Sequence, residues 1–457
     1  MTSFDPREIA NWTGGSWLGS LCGEIKGFCF DARRIQSGEC FVALSGGSRD
    51  GHDFVGQAEA GGATALMVER QVDSSLPQLM VADCLLALGK LGAGVRAGYT
   101  KPVVGITGSC GKTSTKEMLR LLLGEDECHA TAGNWNNRIG VPMTLLGLEP
   151  KSHNFAVIEA GINQPQEMQL LGETIRADLT ILTNIGPAHL ELLGSLENIA
   201  VEKSQVACEG VMDSPIILPA EALMYPAFAE LSERAVVLLP QGASEPALPL
   251  RDLIHYGVEA SDCGQSHLLQ VSGQSYQIQS ASRGMAVNAA LAITAALRLG
   301  VSTKEIRPRI EAWCPGSDRG RFEILGSQAF YVDCYNANPA SMKDALQAFI
   351  RIVSKNTAKL FVLGAMNELG DFAEEAHQET GQRLKLGPRD LAYFIGPDLL
   401  TAAYRKGALA NFAQEKQVRC VDNTEGLKSI VADFEGAIFL KGSRSYCLEQ
   451  LLPDKTK

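Results

Sequence analysis

Residues 103–117 read Val103-Val104-Gly105-Ile106-Thr107-Gly108-Ser109-Cys110-Gly111-Lys112-Thr113-Ser114-Thr115-Lys116-Glu117, and this run decides the fold. An apolar strand runs into a glycine turn, and Lys112-Thr113 then open an amphipathic helix carrying Met118, Leu119 and Leu122. Glycines let the backbone curl so that successive N–H groups can face an anion, and the helix N-terminus adds its dipole. Gly108, Ser109, Cys110, Gly111, Lys112, Thr113 and Ser114 therefore read as a phosphate loop for a nucleoside triphosphate. Lys112 is expected at the β- and γ-phosphates and the Thr113 hydroxyl at Mg2+. The general motif has four residues between its glycines, but here only Ser109 and Cys110 lie between Gly108 and Gly111. Strand, turn, lysine and helix are all in place, so the short spacing modifies the reading without removing it.

Working outward, strand-like runs alternate with helical lengths on both sides. Lys101-Pro102 punctuates the chain just before the loop strand. Ahead of it, Cys40–Leu44 and Ala63–Val68 read as strands between glycine-rich turns. Behind it, Phe155–Ile158 and Leu179–Thr183 follow as strands, and a helix-like stretch rich in Ala and Leu includes Asn288–Leu299. After Cys314-Pro315-Gly316 the pattern restarts, with strands at Phe330–Val332, Lys359–Leu363, Leu391–Ile395, Val418–Val421 and Ala437–Leu440. Strands spaced by helices predict mostly parallel sheets. The expected class is α/β in three domains. These are a small N-terminal α/β domain over 1–100, a central P-loop ATPase-like parallel-sheet domain over 101–314, and a C-terminal Rossmann-like doubly wound domain over 315–457.

Bulk properties limit what the loop can serve. With 457 residues the chain exceeds one ordinary core. Its formal charge of −11 supplies no basic surplus for a nucleic-acid partner. The 12 cysteines include no CxxC pair, which reads as reduced thiols and a cytoplasmic setting. No apolar stretch approaches the roughly 20 residues that cross a bilayer, and the first dozen residues lack a signal-peptide core. No membrane insertion is expected, and a monomer is.

Three further residues carry chemistry. Glu159 ends an apolar strand, and ligands of open α/β sheets gather at the carboxyl ends of strands. A hard carboxylate there suits Mg2+. His189 follows the next strand in Thr183-Asn184-Ile185-Gly186-Pro187-Ala188-His189. Alone it reads as a structural hydrogen-bonder, and its place beside Glu159 in strand order favours a metal or phosphate contact. Lys203 sits on a helix begun by Ser195, a plausible N-cap, with Leu196, Ile199, Ala200, Val206 and Ala207 on one stripe. The lysine falls on that apolar stripe, away from Glu197 and Glu202. Burial there disfavours the ammonium, and a neutral amine can capture CO2 as a carbamate; a lysine snorkelling to solvent is the plainer alternative.

With these residues in view, the chain resembles a known family, the Mur ligases. The short loop Gly108–Ser114, Thr131–Pro142 (TAGNWNNRIGVP) and Asn184–Lys203 (NIGPAHLELLGSLENIAVEK) resemble its central domain. Asp333–Pro339 (DCYNANP) and Lys441-Gly442-Ser443-Arg444 resemble the branch that adds D-alanyl-D-alanine. Phe30–Arg33, Phe41–Leu44 and Asp50–Phe54 resemble its N-terminal UDP-sugar-binding domain. The resemblance implies an ATP-dependent ligase that forms an amide through an acyl phosphate, with UDP-N-acetylmuramoyl-tripeptide and D-alanyl-D-alanine as partners. It implies Thr113 and Glu159 on one Mg2+, and a carbamylated Lys203 with His189 at a second. It also implies Asn288 near adenine, with Arg321 and Asp333 toward the nucleotide. Lys112, Lys203 and His189 are the expected catalytic set. The chain departs from the family at Ala32, where Ser or Thr is usual, and at Arg283–Val287, which lacks the usual His-Asn pair. The alternatives are a related ligase, of murein amino acids or folate glutamates, and a nucleotide-dependent switch that performs no ligation. No Asp-Asn-Pro-Arg string points to a diaminopimelate-adding relative.

Overall fold

The computed structural model describes residues 3–20, 23–47, 49–162 and 164–453. Contacts gather the chain into two compact units. One comprises Met1–Thr107, Leu123–Leu182 and Glu202–Ile216; the other comprises Gly108–Leu122, Thr183–Val201 and Ile217–Lys457.

The first unit opens with a five-stranded sheet. Its order is Ser16–Leu18, Gln78–Met80, Ala65–Val68, Glu39–Val42, Gly27–Cys29, all parallel except the first. Cys40, Val42, Ala65 and Met67 face one core, whereas Phe41, Ala43, Leu66 and Val68 face another. Burial on both faces explains why these strands read as unbroken apolar runs. The helix Cys84–Gly98 covers one face, and its first turn is capped by Asp83, whose carboxylate accepts from the Leu86 N–H at 2.8 Å. The same unit holds four parallel strands in the order Cys128–Ala130, Phe155–Glu159, Val103–Thr107, Leu179–Leu182. The loop strand is thus central, with all five of its residues buried.

The second unit contains the glycine loop from Gly108 and nearly all of the helix that follows it, Lys112–Leu123. It also holds an extension that the sequence reading did not predict. Ala235–Pro240 pairs in parallel with Asp252–Ala260, which turns back antiparallel through His267–Val271 and Gln274–Ile278. Asp252–Ala260 is largely uncovered, so it carries no apolar run to betray it. The helix Arg283–Arg298 takes in the helix-like stretch from Asn288, and Ser282 caps it by accepting from the Met285 N–H at 3.0 Å. The last sheet has the order Arg321–Leu325, Gln328–Asp333, Ala437–Lys441, Lys359–Gly364, Leu391–Ile395, Val418–Val421. Only its first strand is antiparallel. Phe361 and Phe439 face one core layer, and Phe330, Val362 and Leu440 face the other. This is the expected doubly wound unit. Among the described residues no helix is long and apolar enough to cross a membrane.

Candidate active site

The glycine loop Gly108–Ser114 is held by its own neighbours. The Ser109 N–H donates to the Asn184 carbonyl at 3.1 Å, and the Cys110 N–H donates to Asn184 Oδ1 at 3.0 Å. Ser109 Oγ donates to the Gly186 carbonyl at 2.8 Å and accepts from the Gly186 N–H at 2.9 Å. Thr183 Oγ1 donates to the Cys110 carbonyl at 2.6 Å, and Asn184 Nδ2 lies 3.1 Å from Cys110 Sγ. Two amides of the loop are therefore taken inside the protein. Asn184, the first residue of the longer motif Asn184–Lys203, is the residue that shapes the turn. Lys112 Nζ donates back to the Gly108 carbonyl at 2.8 Å, folding the ammonium over the loop. Burial pushes the Cys110 thiol up, against the opposing pull of the Asn184 amide and Lys112.

Both loop glycines are required by space. Gly108 has φ +145, and a Cβ there would come within 1.9 Å of Thr183 Oγ1. Gly111 has φ +83, and its Cβ would meet Asn288 Nδ2 at 2.4 Å. Asn288 therefore sits on the loop itself, buried, one turn along the helix that Ser282 caps. The start of that helix is tied to residues much later in the chain. Ser282 Oγ bonds the Asp344 carboxylate, which also accepts from the Gly284 N–H at 3.3 Å. From the same later helix, Pro339–Ile352, Arg351 donates to His267 Nε2 at 3.0 Å. The residues standing where the family has a His-Asn pair are thus held by a carboxylate from elsewhere.

In the first unit Glu159 ends its strand opposite Ile106, two residues before Gly108. It is 1% exposed. Asn136 Nδ2 donates to Glu159 Oε1 at 2.7 Å, and the Glu159 N–H donates to Thr131 Oγ1 at 2.9 Å. The run Thr131–Pro142 thus aims the carboxylate; its repeated asparagines were the signal for this second layer. Lys203 lies on the helix Leu196–Cys208 and is 1% exposed, level with Ile199, Ala200 and Val206. Ser195 does cap that helix, accepting from the Asn198 N–H at 3.1 Å. The snorkelling alternative is excluded by this burial.

His189 takes a left-handed backbone, φ 60, and its Nδ1 lies 2.5 Å from Glu368 Oε2. An ionised carboxylate only accepts, so Nδ1 donates to Glu368 and the contact fixes the ring's orientation. The same bond holds the Glu368 carboxyl below its ordinary value. Asp333 ends its strand beside Lys441, whose Nζ lies 2.6 Å from Asp333 Oδ2 and also donates to the Asn336 carbonyl at 3.0 Å. Burial pushes the Asp333 carboxyl up, and Lys441 opposes it. Arg321 pairs with Glu323 at 3.3 Å. Ala32 is buried in a turn where Asp31 binds Arg33 at 2.8 Å, holding that carboxyl down at about 2.

Comparison with known proteins bears directly on this geometry. The family model described as "Mur ligase middle domain" matches residues 106–296, which include the loop, Glu159, His189, Lys203 and Asn288. "Mur ligase, glutamate ligase domain" matches 320–444, and "Mur ligase family, catalytic domain" matches 24–83. The UDP-N-acetylmuramoyl-tripeptide--D-alanyl-D-alanine ligase of Escherichia coli is 32% identical over 430 residues, covering 92% of either chain. This chain belongs to the Mur ligase family. The Synechocystis enzyme of the same name is also 32% identical, over 84% of this Mur ligase and 82% of its own length. The crystal structure of MurF from Acinetobacter baumannii matches with a TM-score of 0.86 at 29% identity, covering 99% of this Mur ligase and 98% of that chain.

The loop geometry of this Mur ligase yields a direct expectation. Gly111→Ala forces an alanine into positive φ and against Asn288, a strain of roughly 1–3 kcal/mol. Affinity for ADP should fall about tenfold or more by calorimetric titration. An unchanged affinity would place the nucleotide elsewhere.

Proposed function

We propose that this Mur ligase joins D-alanyl-D-alanine to UDP-N-acetylmuramoyl-tripeptide at the expense of ATP, forming the UDP-muramoyl-pentapeptide precursor of peptidoglycan. The observation that carries this reading is the full-length similarity to ligases of that name. It extends over the N-terminal and C-terminal sheets as well as the loop.

A carboxylate is a poor electrophile, so the tripeptide's terminal carboxylate must first be activated. Its oxygen attacks the γ-phosphorus of ATP, the bond to the bridging oxygen breaks, and ADP leaves. Lys112 and the helix N-terminus meet the charge that builds on the transferring phosphoryl group. The dipeptide amine then adds to the acyl phosphate, forming a tetrahedral intermediate. Its collapse releases inorganic phosphate, and the amine proton passes to solvent. Closure of the domains would exclude water that otherwise hydrolyses the acyl phosphate.

Glu159, a carboxylate buried at the end of its strand, is a donor of the kind that Mg2+ takes, which supports a magnesium requirement. Among the described residues no three His, Cys, Asp or Glu side chains gather into a metal cage. Mg2+ is commonly held by one or two carboxylates together with water and substrate phosphate. In our reading Thr113 and Glu159 hold one ion, while His189 and a carbamylated Lys203 serve a second. Bound there, magnesium would supply charge neutralisation at the phosphates. A buried lysine converted to a carbamate becomes an oxygen donor, which accounts for a lysine on an apolar stripe. Asn288, Arg321 and Asp333 remain the proposed nucleotide contacts, and we place the enzyme in the cytoplasm as a monomer.

Coupled ADP detection tests the activity. ADP release should require the UDP-muramoyl-tripeptide and D-alanyl-D-alanine together. ATP hydrolysis indifferent to both would make the chain a nucleotide switch.

A further inference from the structure

Several cations lie at the carboxyl end of the C-terminal sheet, and most are already neutralised. Arg321 lies 3.3 Å from Glu323, and Lys441 lies 2.6 Å from Asp333. Arg444 lies 3.3 Å from Asp318 and 3.4 Å from Glu449. Arg319 differs from these three. Among the described residues it forms no ion pair within 4.0 Å, although its charge acts on the buried Asp333 carboxyl, and it is partly buried. Its guanidinium carbon sits 3.7 Å from the centre of the Tyr335 ring. The backbone fixes that stack, since the Tyr335 N–H donates to the Asp318 carbonyl at 3.2 Å and the Arg319 N–H to the Gly316 carbonyl at 3.2 Å. Tyr335 comes two residues after Asp333, at the edge where the parallel strands Gln328–Asp333 and Ala437–Lys441 end.

Stacking uses one face of a guanidinium and leaves its in-plane N–H fork available. That fork matches a carboxylate with two parallel hydrogen bonds. In the ligase reading, on which this inference rests, the incoming dipeptide offers an amine, two methyl groups, an amide and a free carboxylate. The amine must remain unprotonated and reactive, so the carboxylate is the group by which the protein can grip the molecule. We propose that Arg319, held flat by Tyr335, receives the free carboxylate of the incoming dipeptide. The neighbouring pairs sharpen the choice: Lys441 is buried against Asp333, and Arg444 is shared between two carboxylates.

The test compares D-alanyl-D-alanine with its C-terminal amide, using initial rates of ADP release from the full-length enzyme. The wild type should prefer the acid by about a hundredfold in kcat/KM, the scale of a lost charge pair. Arg319→Ala should raise KM for the dipeptide by about thirtyfold or more, while KM for ATP and for the UDP-precursor stays within about twofold. The same variant should no longer discriminate acid from amide. Arg319→Lys should recover part of the preference, and Tyr335→Leu should raise the dipeptide KM alone, by about threefold. A thermal melt matching the wild type shows that each variant is folded. If Arg319→Ala still selects the acid, or raises KM for ATP instead, the proposal is overturned. If the wild type does not turn over D-alanyl-D-alanine at all, the ligase reading itself fails.

Discussion

Replacing Lys112 with alanine is expected to lower kcat/KM for ATP by about a thousandfold, measured as ADP release with both co-substrates saturating. The expectation follows from position rather than from charge alone. Lys112 opens the helix that follows the loop, and its ammonium already lies against the Gly108 carbonyl at 2.8 Å. An arriving phosphate would take over that donor with little movement of the side chain. A preorganised cation at the site where charge accumulates contributes about 10²–10³ in rate, and the loop lysine also contributes to binding. Lys112→Arg keeps the charge, but its planar fork cannot fold back over Gly108 in the same way, so recovery should be small. Wild-type rates in the alanine variant would refute the loop as the phosphate site.

Lys203→Ala should cost nearly as much, about a hundredfold to a thousandfold in kcat, and should be partly rescued by added formate or acetate. Rescue distinguishes two roles that burial alone leaves equal. A lysine that only fills space on the helix Leu196–Cys208 would be replaced by a cavity, which no added anion repairs. A lysine that carries a carbamate would be replaced by a missing carboxylate, which a small one can restore. Full activity in the variant would end the carbamate proposal. Activity lost beyond rescue, in a protein with a normal thermal melt, would point to the amine itself.

The sequence made the local part of this site legible. The strand Val103–Thr107 falls where its apolar run begins and ends, because both faces are buried and nothing interrupts it. The helix bearing Lys203 was readable from a capping serine and a regular apolar stripe, and the lysine is as buried as that stripe requires. What stayed hidden are the partners that only folding brings together. Asn136 on Glu159 spans 23 positions, Asn184 on Cys110 spans 74, and Glu368 on His189 joins segments far apart in the chain. No periodicity encodes such meetings. Asp344 at the start of the Asn288 helix is the same kind of case, a carboxylate on an amphipathic helix that reads as a solvated face. The strands over 252–278 were missed for a different reason. The first, Asp252–Ala260, is open to solvent along much of its length, and the two that follow are only five residues each with polar residues among their apolar ones.

The thiol of Cys110 has a consequence for how this enzyme weathers reactive chemistry. Thiolates, not thiols, attack electrophiles and peroxides. A sulfur tucked under Asn184, with its ionisation pushed upward by burial, offers little thiolate at neutral pH. Cys110 should therefore be alkylated more slowly than the exposed Cys208, Cys263 and Cys420, which mass spectrometry after a timed reaction with iodoacetamide would read.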